Sequence, residues 1–305
     1  MWFVALVVCG IVAIIFATSL STNWIDRLAS IINPASTPLS VTTLSIQRSA
    51  PYAGLNYTLL NAQVASSFPD DPIHPGVAVV RLNLTVSNPA KNQASVLYYD
   101  AARLIVPTLA PIAPANVTLS ADPAPGASQS GWIDFAVSQP VQVAALKLQL
   151  GSLSQHESLV TIPFTGSFDP AQYADRTVRE SLTMNYYFPY YAPHLLYYHL
   201  TAVEIRYDYN GSQVKAGQQF YILDFQVDNP NGFNISPGFG YDYIRLVING
   251  SPRPPIDNTL PYGFNGGAHH VAGHVAFSAP PGLHSLVVEF LVQYGSGGSY
   301  FTVSI

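Results

Sequence analysis

The chain states one pattern twice. The run LNLTVSNP at 82–89 returns as LDFQVDNP at 223–230, each an alternating strand that closes on an Asn-Pro turn. Downstream, YDAARLIV at 99–106 answers to YDYIRLVI at 241–248, and GWIDF at 131–135 to GHVAF at 273–277. Upstream, Tyr57-Thr58-Leu59 answers to Tyr198-His199-Leu200. Asn88 and Asn229 stand 141 residues apart, and Arg103 and Arg245, like Gly131 and Gly273, stand 142 apart. Four landmarks holding one offset to within a residue make the chain a tandem duplication of a β-rich unit. At 305 residues, each copy is long enough to bury a core of its own.

Charged residues are only 10% of the chain, against roughly 25% in soluble proteins at large. So weakly charged a surface points to a protein that works outside the cell. The net charge of −5 and the scattered 12 Lys and Arg argue against nucleic acid, which needs a dense basic stripe. With Cys9 as the one cysteine, no disulfide framework forms within a chain, and no cysteine-based zinc site either. The β units must stand on packing.

Residues 1–20 carry no charged side chain, and about 20 apolar residues let a helix cross a bilayer core. Trp2 and Trp24 bracket the stretch as interfacial aromatics do, and Pro34 stops the helical pattern. The expectation is a transmembrane or signal-anchor helix over 1–33, with the bulk of the chain outside a cell membrane. The competing reading is a signal peptide cleaved near Ser19, which would release the protein. Sequons at Asn56, Asn83, Asn116, Asn210 and Asn249 are candidates for N-glycosylation and agree with export.

Residues 34–40 read as a Pro/Ser linker, 41–166 as a first β-sandwich and 198–305 as a second. Between them, 167–197 reads as an inter-domain linker. It holds a helix capped by Asp169 with Pro170 at its first position, then a tyrosine-rich run. Tyr186, Tyr187, Tyr190, Tyr191, Tyr197 and Tyr198 serve there either as an ordered wedge or as a contact surface for a partner subunit or glycan. The chain closes on a strand-like run at 299–303, a candidate sheet edge for pairing with a neighbour.

The order of strand, Asn-Pro turn, Tyr-Asp-x-x-Arg-Leu strand, Pro-Gly-Ala at 125–127 and Gly-Trp-Ile-Asp-Phe at 131–135 resembles DUF4352-type immunoglobulin-like domains. The second copy, through Asp228-Asn229-Pro230-Asn231 and Ile235, is similar to LEA14-type (WHy) domains. The resemblance covers roughly 55–150 and 198–292. It implies exported β-sandwiches behind a membrane anchor and brings no catalytic residue, cofactor or metal.

A search for chemistry returns little. Of the eight histidines, only His269, His270 and His274 cluster. Placed along a strand, His270 and His274 share an outer face about 13 Å apart, too far for one metal. Asp70-Asp71 lies in a Pro-rich turn, with no calcium-loop pattern. Asp100 and Arg103, with Asp242 and Arg245, recur in both copies and read as a structural pair. No nucleophile elbow, zinc-protease or phosphate-loop motif occurs, and Gly-rich 294–298 reads as a hairpin loop.

These readings converge on an all-β protein: two tandem immunoglobulin-like β-sandwiches behind one N-terminal transmembrane helix. The expected role is non-catalytic, a structural or accessory subunit of a cell-envelope assembly or membrane complex, with protein partners or self-assembly. The alternatives are an exported ligand- or glycan-binding module, with specificity in loops 107–125 and 251–267, and a LEA-like protective protein.

Overall fold

The structure, a computed structural model, describes residues 40–70, 78–91, 93–188, 194–291 and 298–305. The chain is all-β and sandwich-like. Its first half contributes β1 (Thr42–Tyr52), β2 (Leu55–Ala65), β3 (Ala78–Ser87), β4 (Ala102–Ile105), β5 (Asn116–Val117), β6 (Ser128–Val137), β7 (Lys147–Leu150) and β8 (Val160–Pro163). In the second half, β9 (Arg176–Phe188), β10 (His194–Arg206), β11 (Asp208–Tyr209), β12 (Ser212–Gln213), β13 (Gln219–Asp228) and β14 (Ile244–Ile248) come first. They are followed by β15 (Ser251–Arg253), β16 (Asp257–Asn258), β17 (Val271–Ala279), β18 (Ser285–Leu291) and β19 (Gly298–Ser304).

One sheet runs β1-β2-β3-β6-β5 and another β16-β17-β13-β10-β9, which is the same order element for element. Their counterparts, β4-β7-β8 and β15-β14-β18-β19, differ by the added β15. Alternation drives each pairing. Leu82, Leu84 and Val86 of β3 are buried, as are Leu223, Phe225 and Val227 of β13, and each set joins a separate apolar core. Even an irregularity repeats: one extra residue bulges β2 between Leu59 and Asn61, and one bulges β10 between Leu200 and Ala202.

Positions shared by the copies do structural work. Asn88 and Asn229 are buried and tie the ends of β3 and β13 to the loops that follow. A Cβ at Gly131 would lie 2.9 Å from the Leu119 side chain, and one at Gly273 2.8 Å from that of Leu260, so the crossing segments require glycine there. Arg103 and Arg245 each donate to two carbonyls of a one-turn helix, α1 (Tyr98–Ala101) or α2 (Gly240–Tyr243), and of the strand after it. The recurring arginine therefore caps a helix end, and Asp100 lies 3.9 Å from Arg103 as a looser neighbour.

Residues 167–197 depart from expectation. Asp169 does cap, accepting from the Ala171 N–H at 2.9 Å, but the helix is a single 3-10 turn over Pro170–Tyr173. From Arg176 the chain is β9, and β9 and β10 pair as a hairpin of the second large sheet. Tyrosine hides this, because its ring suits a buried face and its hydroxyl an exposed one, so alternation leaves no polar/apolar trace. The expected transmembrane helix at 1–33 and the 34–39 part of the linker lie outside the described residues. Among the described residues, no helix is long and apolar enough to cross a membrane.

One difference between the copies serves as an internal control. Arg81 of β3 forms a bidentate pair with Asp134 of β6 at 2.8 and 2.9 Å, contacts Asp70, and lies between the Phe68 and Trp132 rings. At the matching register of the second copy, Ile222 faces Ala276. The fold accepts an apolar pair where the first copy holds a buried ion pair. Asp134→Ala alone is expected to cost about 3–5 kcal/mol, because Arg81 stays buried without that partner. Adding Arg81→Ile should recover most of that loss, read from the two midpoints in urea unfolding.

Candidate functional site

The halves meet through a hairpin. β11 and β12 are joined by Asn210-Gly211, both at positive φ as a two-residue turn requires, and the hairpin leans on the first half. Gln213 Oε1 accepts from the Ala53 N–H at 3.0 Å, within the β1–β2 turn. Val214 O accepts from Ser158 N–H and His156 O from Ala216 N–H, both at 2.8 Å, and Lys215 Nζ donates to Gln155 O. Gly54 allows the approach: it sits at φ +77°, and a Cβ there would lie 3.3 Å from Asp208 Oδ2. The expected wedge between the units was the tyrosine-rich run; this hairpin holds that position instead.

A cleft of about 340 Å³ opens at this junction. Pro89, Gln93 and Ala94 line it from the first half, and Arg206, Asp208 and Tyr209 from the second. Arg206 Nη1 lies 3.3 Å from Glu204 and Nη2 3.3 Å from Asp208, while Nε is 3.2 Å from Asp175 without hydrogen-bond alignment. Three carboxylates thus share one guanidinium. The Asp175 side chain is 44% exposed, yet its carboxyl is pushed up to about 6. Burial is the largest cause, and Asp208 and Glu204 repel its charge, against the attraction of Arg206.

Beside the cleft, Tyr209 links two strands. Its hydroxyl donates to Asp257 Oδ2 at 2.7 Å and lies 2.7 Å from His274 Nε2. Tyr241 donates to Asp257 Oδ1 at 3.2 Å. The Tyr209 hydrogen bond, more than any other contact, holds the Asp257 carboxyl below the usual range, while burial and Asp257 push the Tyr209 phenol up. The arrangement presents a fixed carboxylate and two aromatic hydroxyls at the edge of the cleft. Among the described residues it places no serine or cysteine nucleophile beside His274.

The sequence-derived candidates scatter. Asn56, Asn210 and Asn249 are exposed, the last two in turns at φ +50° and +49°. Asn83 lies half-buried in the middle of a sheet and donates to Asn61 Oδ1, and Asn116 accepts from the Val117 N–H. Tyr190 and Tyr191 lie outside the described residues. Tyr186 and Tyr187 belong to β9, paired with Leu196 and Leu195. Tyr197 is half-buried. Tyr198 is corrected outright as a partner contact: it is fully buried, packs on Phe225, Phe264 and Phe290, and its hydroxyl lies 2.8 Å from that of Tyr243. Strand alternation puts it on the core face with Leu196 and Leu200. Asp70, read as a turn residue, is an ion-pair partner of Arg81. Sequence reasoning passed over Arg206, Tyr209 and Asp257. The Asn210-Gly211 turn, read only as a sequon, was the signal that a hairpin lay there.

No family model and no curated protein matches this sequence. Among solved structures, the chain is similar to a functionally unknown protein from Listeria monocytogenes EGD-e. That likeness has 14% identity and a TM-score of 0.32, over 41% of this chain and 87% of that one.

The Asp175 carboxyl sets a pH window. Its folded pKa of about 6 lies above its ordinary value of 3.8, so its contribution to stability is full below 3.8 and is lost as pH rises through about 6. Asp175→Asn is therefore expected to raise Tm at pH 7 and leave it nearly unchanged at pH 4, in paired thermal melts. A constant offset between the two proteins across that range would contradict the assignment.

Proposed function

We propose that this protein is a non-catalytic structural or accessory component of an exported assembly. In this reading, two tandem immunoglobulin-like sandwiches stand outside the cell on an N-terminal helix, with cleavage near Ser19 as the secreted alternative. The observation that carries it is the length of the outermost strands. β1 and β9, of 11 and 13 residues, end the two large sheets, and β19 ends a smaller one near the C-terminus. Long outer strands expose rows of backbone donors and acceptors that pair readily with another chain. β19 also carries Tyr300 at 61% exposure, a large ring suited to a protein contact.

A ligand- or glycan-binding reading has an observation of its own. Phe239, Tyr241 and Tyr262 are 51%, 40% and 55% exposed, Tyr241 donates to Asp257, and the Phe239 and Tyr262 rings lie 5.2 Å apart. Exposed rings next to a carboxylate suit the apolar faces and hydroxyls of a sugar. Tyr262 and Asp257 fall within the 251–267 loop.

The two readings separate by native size after gentle detergent extraction. The assembly reading expects co-migration with fixed partners or a ladder of the protein's own multiples. A lone monomer, with a thermal shift in a glycan panel that Tyr262→Ala abolishes, would replace it with the binding reading.

A further inference from the structure

The second copy differs from the first by one inserted residue at the start of β17. In the first copy, Asn88 N–H donates to Ala127 O, and a single residue, Ser128, separates Ala127 from Gln129, the partner of Val86. In the second, Asn229 N–H donates to Ala268 O, and two residues, His269 and His270, separate Ala268 from Val271, the partner of Val227. The expectation that His270 shares a strand face with His274 fails here, because β17 begins only at Val271. The added residue turns the backbone left-handed, with His270 at φ +52°. His270 N–H then donates to Asp228 Oδ1 at 2.6 Å.

That turn gathers three imidazoles on one carboxylate. His199 Nε2 lies 3.1 Å from Asp228 Oδ2, and the Nδ1 atoms of His269 and His270 lie 3.8 and 3.9 Å from Oδ1. Side chains 29 to 42 residues from Asp228 meet on it because β10, β13 and β17 are neighbours in register. The matching positions of the first copy are Thr58, Ser87 and Ser128, which carry no charge and no imidazole. Neither the fold nor its register therefore asks for this set. We propose that His199, His269, His270 and Asp228 form a binding site for a divalent transition metal ion of the zinc type.

Donor chemistry fits such an ion: three imidazoles and one carboxylate make a four-ligand set of the kind zinc takes. Thr183 Oγ1 lies 2.9 Å from His199 Nδ1, while Nε2–H donates to Asp228 Oδ2 at 3.1 Å; an ion entering here would take the place of that proton, with Thr183 then accepting from Nδ1. As they stand, no three histidine, cysteine or acidic side chains among the described residues reach coordination geometry. The shortfall is small. Ring centres of His199 and His270 are 6.4 Å apart and those of His269 and His270 6.5 Å, whereas two imidazoles on one zinc need roughly 5 Å. The His269 and His270 side chains are each 68% exposed, so their own torsions have room to turn toward His199.

The test is titration of zinc chloride into the untagged full-length protein, followed by calorimetry. Saturable binding of one zinc per chain is expected, weakened at least about tenfold in His269→Asn/His270→Asn, since loss of even a supporting partner of a ligand costs that much. Asparagine tolerates the left-handed backbone at 270, so the fold survives the change. His284→Asn, at an exposed histidine outside this group, should bind as wild type does. Absence of saturable binding, loss of less than tenfold in the double variant, or loss in His284→Asn would each overturn the proposal.

Discussion

Each copy depends on an asparagine side chain buried where its central strand ends. Asn229 donates to Phe233 O, Phe264 O and Asn265 O and accepts from the Asn231 N–H, so one amide fixes two loops at once. Asn88 likewise bonds Pro123 O and the Ala90 N–H. Buried carbonyls without partners would each cost on the order of 1–3 kcal/mol, so the loops have little choice of path. Those loops carry the chain toward the smaller sheet and bring Leu119 or Leu260 across its glycine. Aspartate in this place would accept but could not donate to the carbonyls, and leucine would do neither.

On that frame, the copies sort their residues by duty. What both keep holds each copy together: Asn88, Asn229, Tyr57 and Tyr198 are buried, and Arg103 and Arg245 cap the one-turn helices. What they do not share lies at the ends and on the outer faces: the Arg81 cluster in one, the Tyr209 network and the imidazole group in the other. Identical register makes these substitutions directly comparable.

The duplication was legible because strand alternation and Asn-Pro turns are short-range signals that survive divergence. Tyr57 and Tyr198 fall at matching places for that reason. The β9–β10 hairpin was illegible because tyrosines on both faces erase the period and the nearby prolines mimic a connection. The grouping of His199 with His269 and His270 could not be read either. It depends on a one-residue insertion whose effect is visible only once β10, β13 and β17 are aligned. Asp257 was silent for a similar reason: Tyr209, its partner, lies 48 residues earlier, on a two-residue strand too short to leave a pattern.

The junction hairpin has a mechanical consequence. Among the described residues, pulling the halves apart breaks a handful of polar bonds between Ala53, Gln155, His156, Ser158 and the 213–216 segment and the Tyr173–Tyr207 ring contact, whereas opening either large sheet exposes a whole apolar core. Under tension between its two ends, the chain is expected to yield at this seam before either large sheet opens. By that comparison the seam is the weakest place along the chain to bear a load.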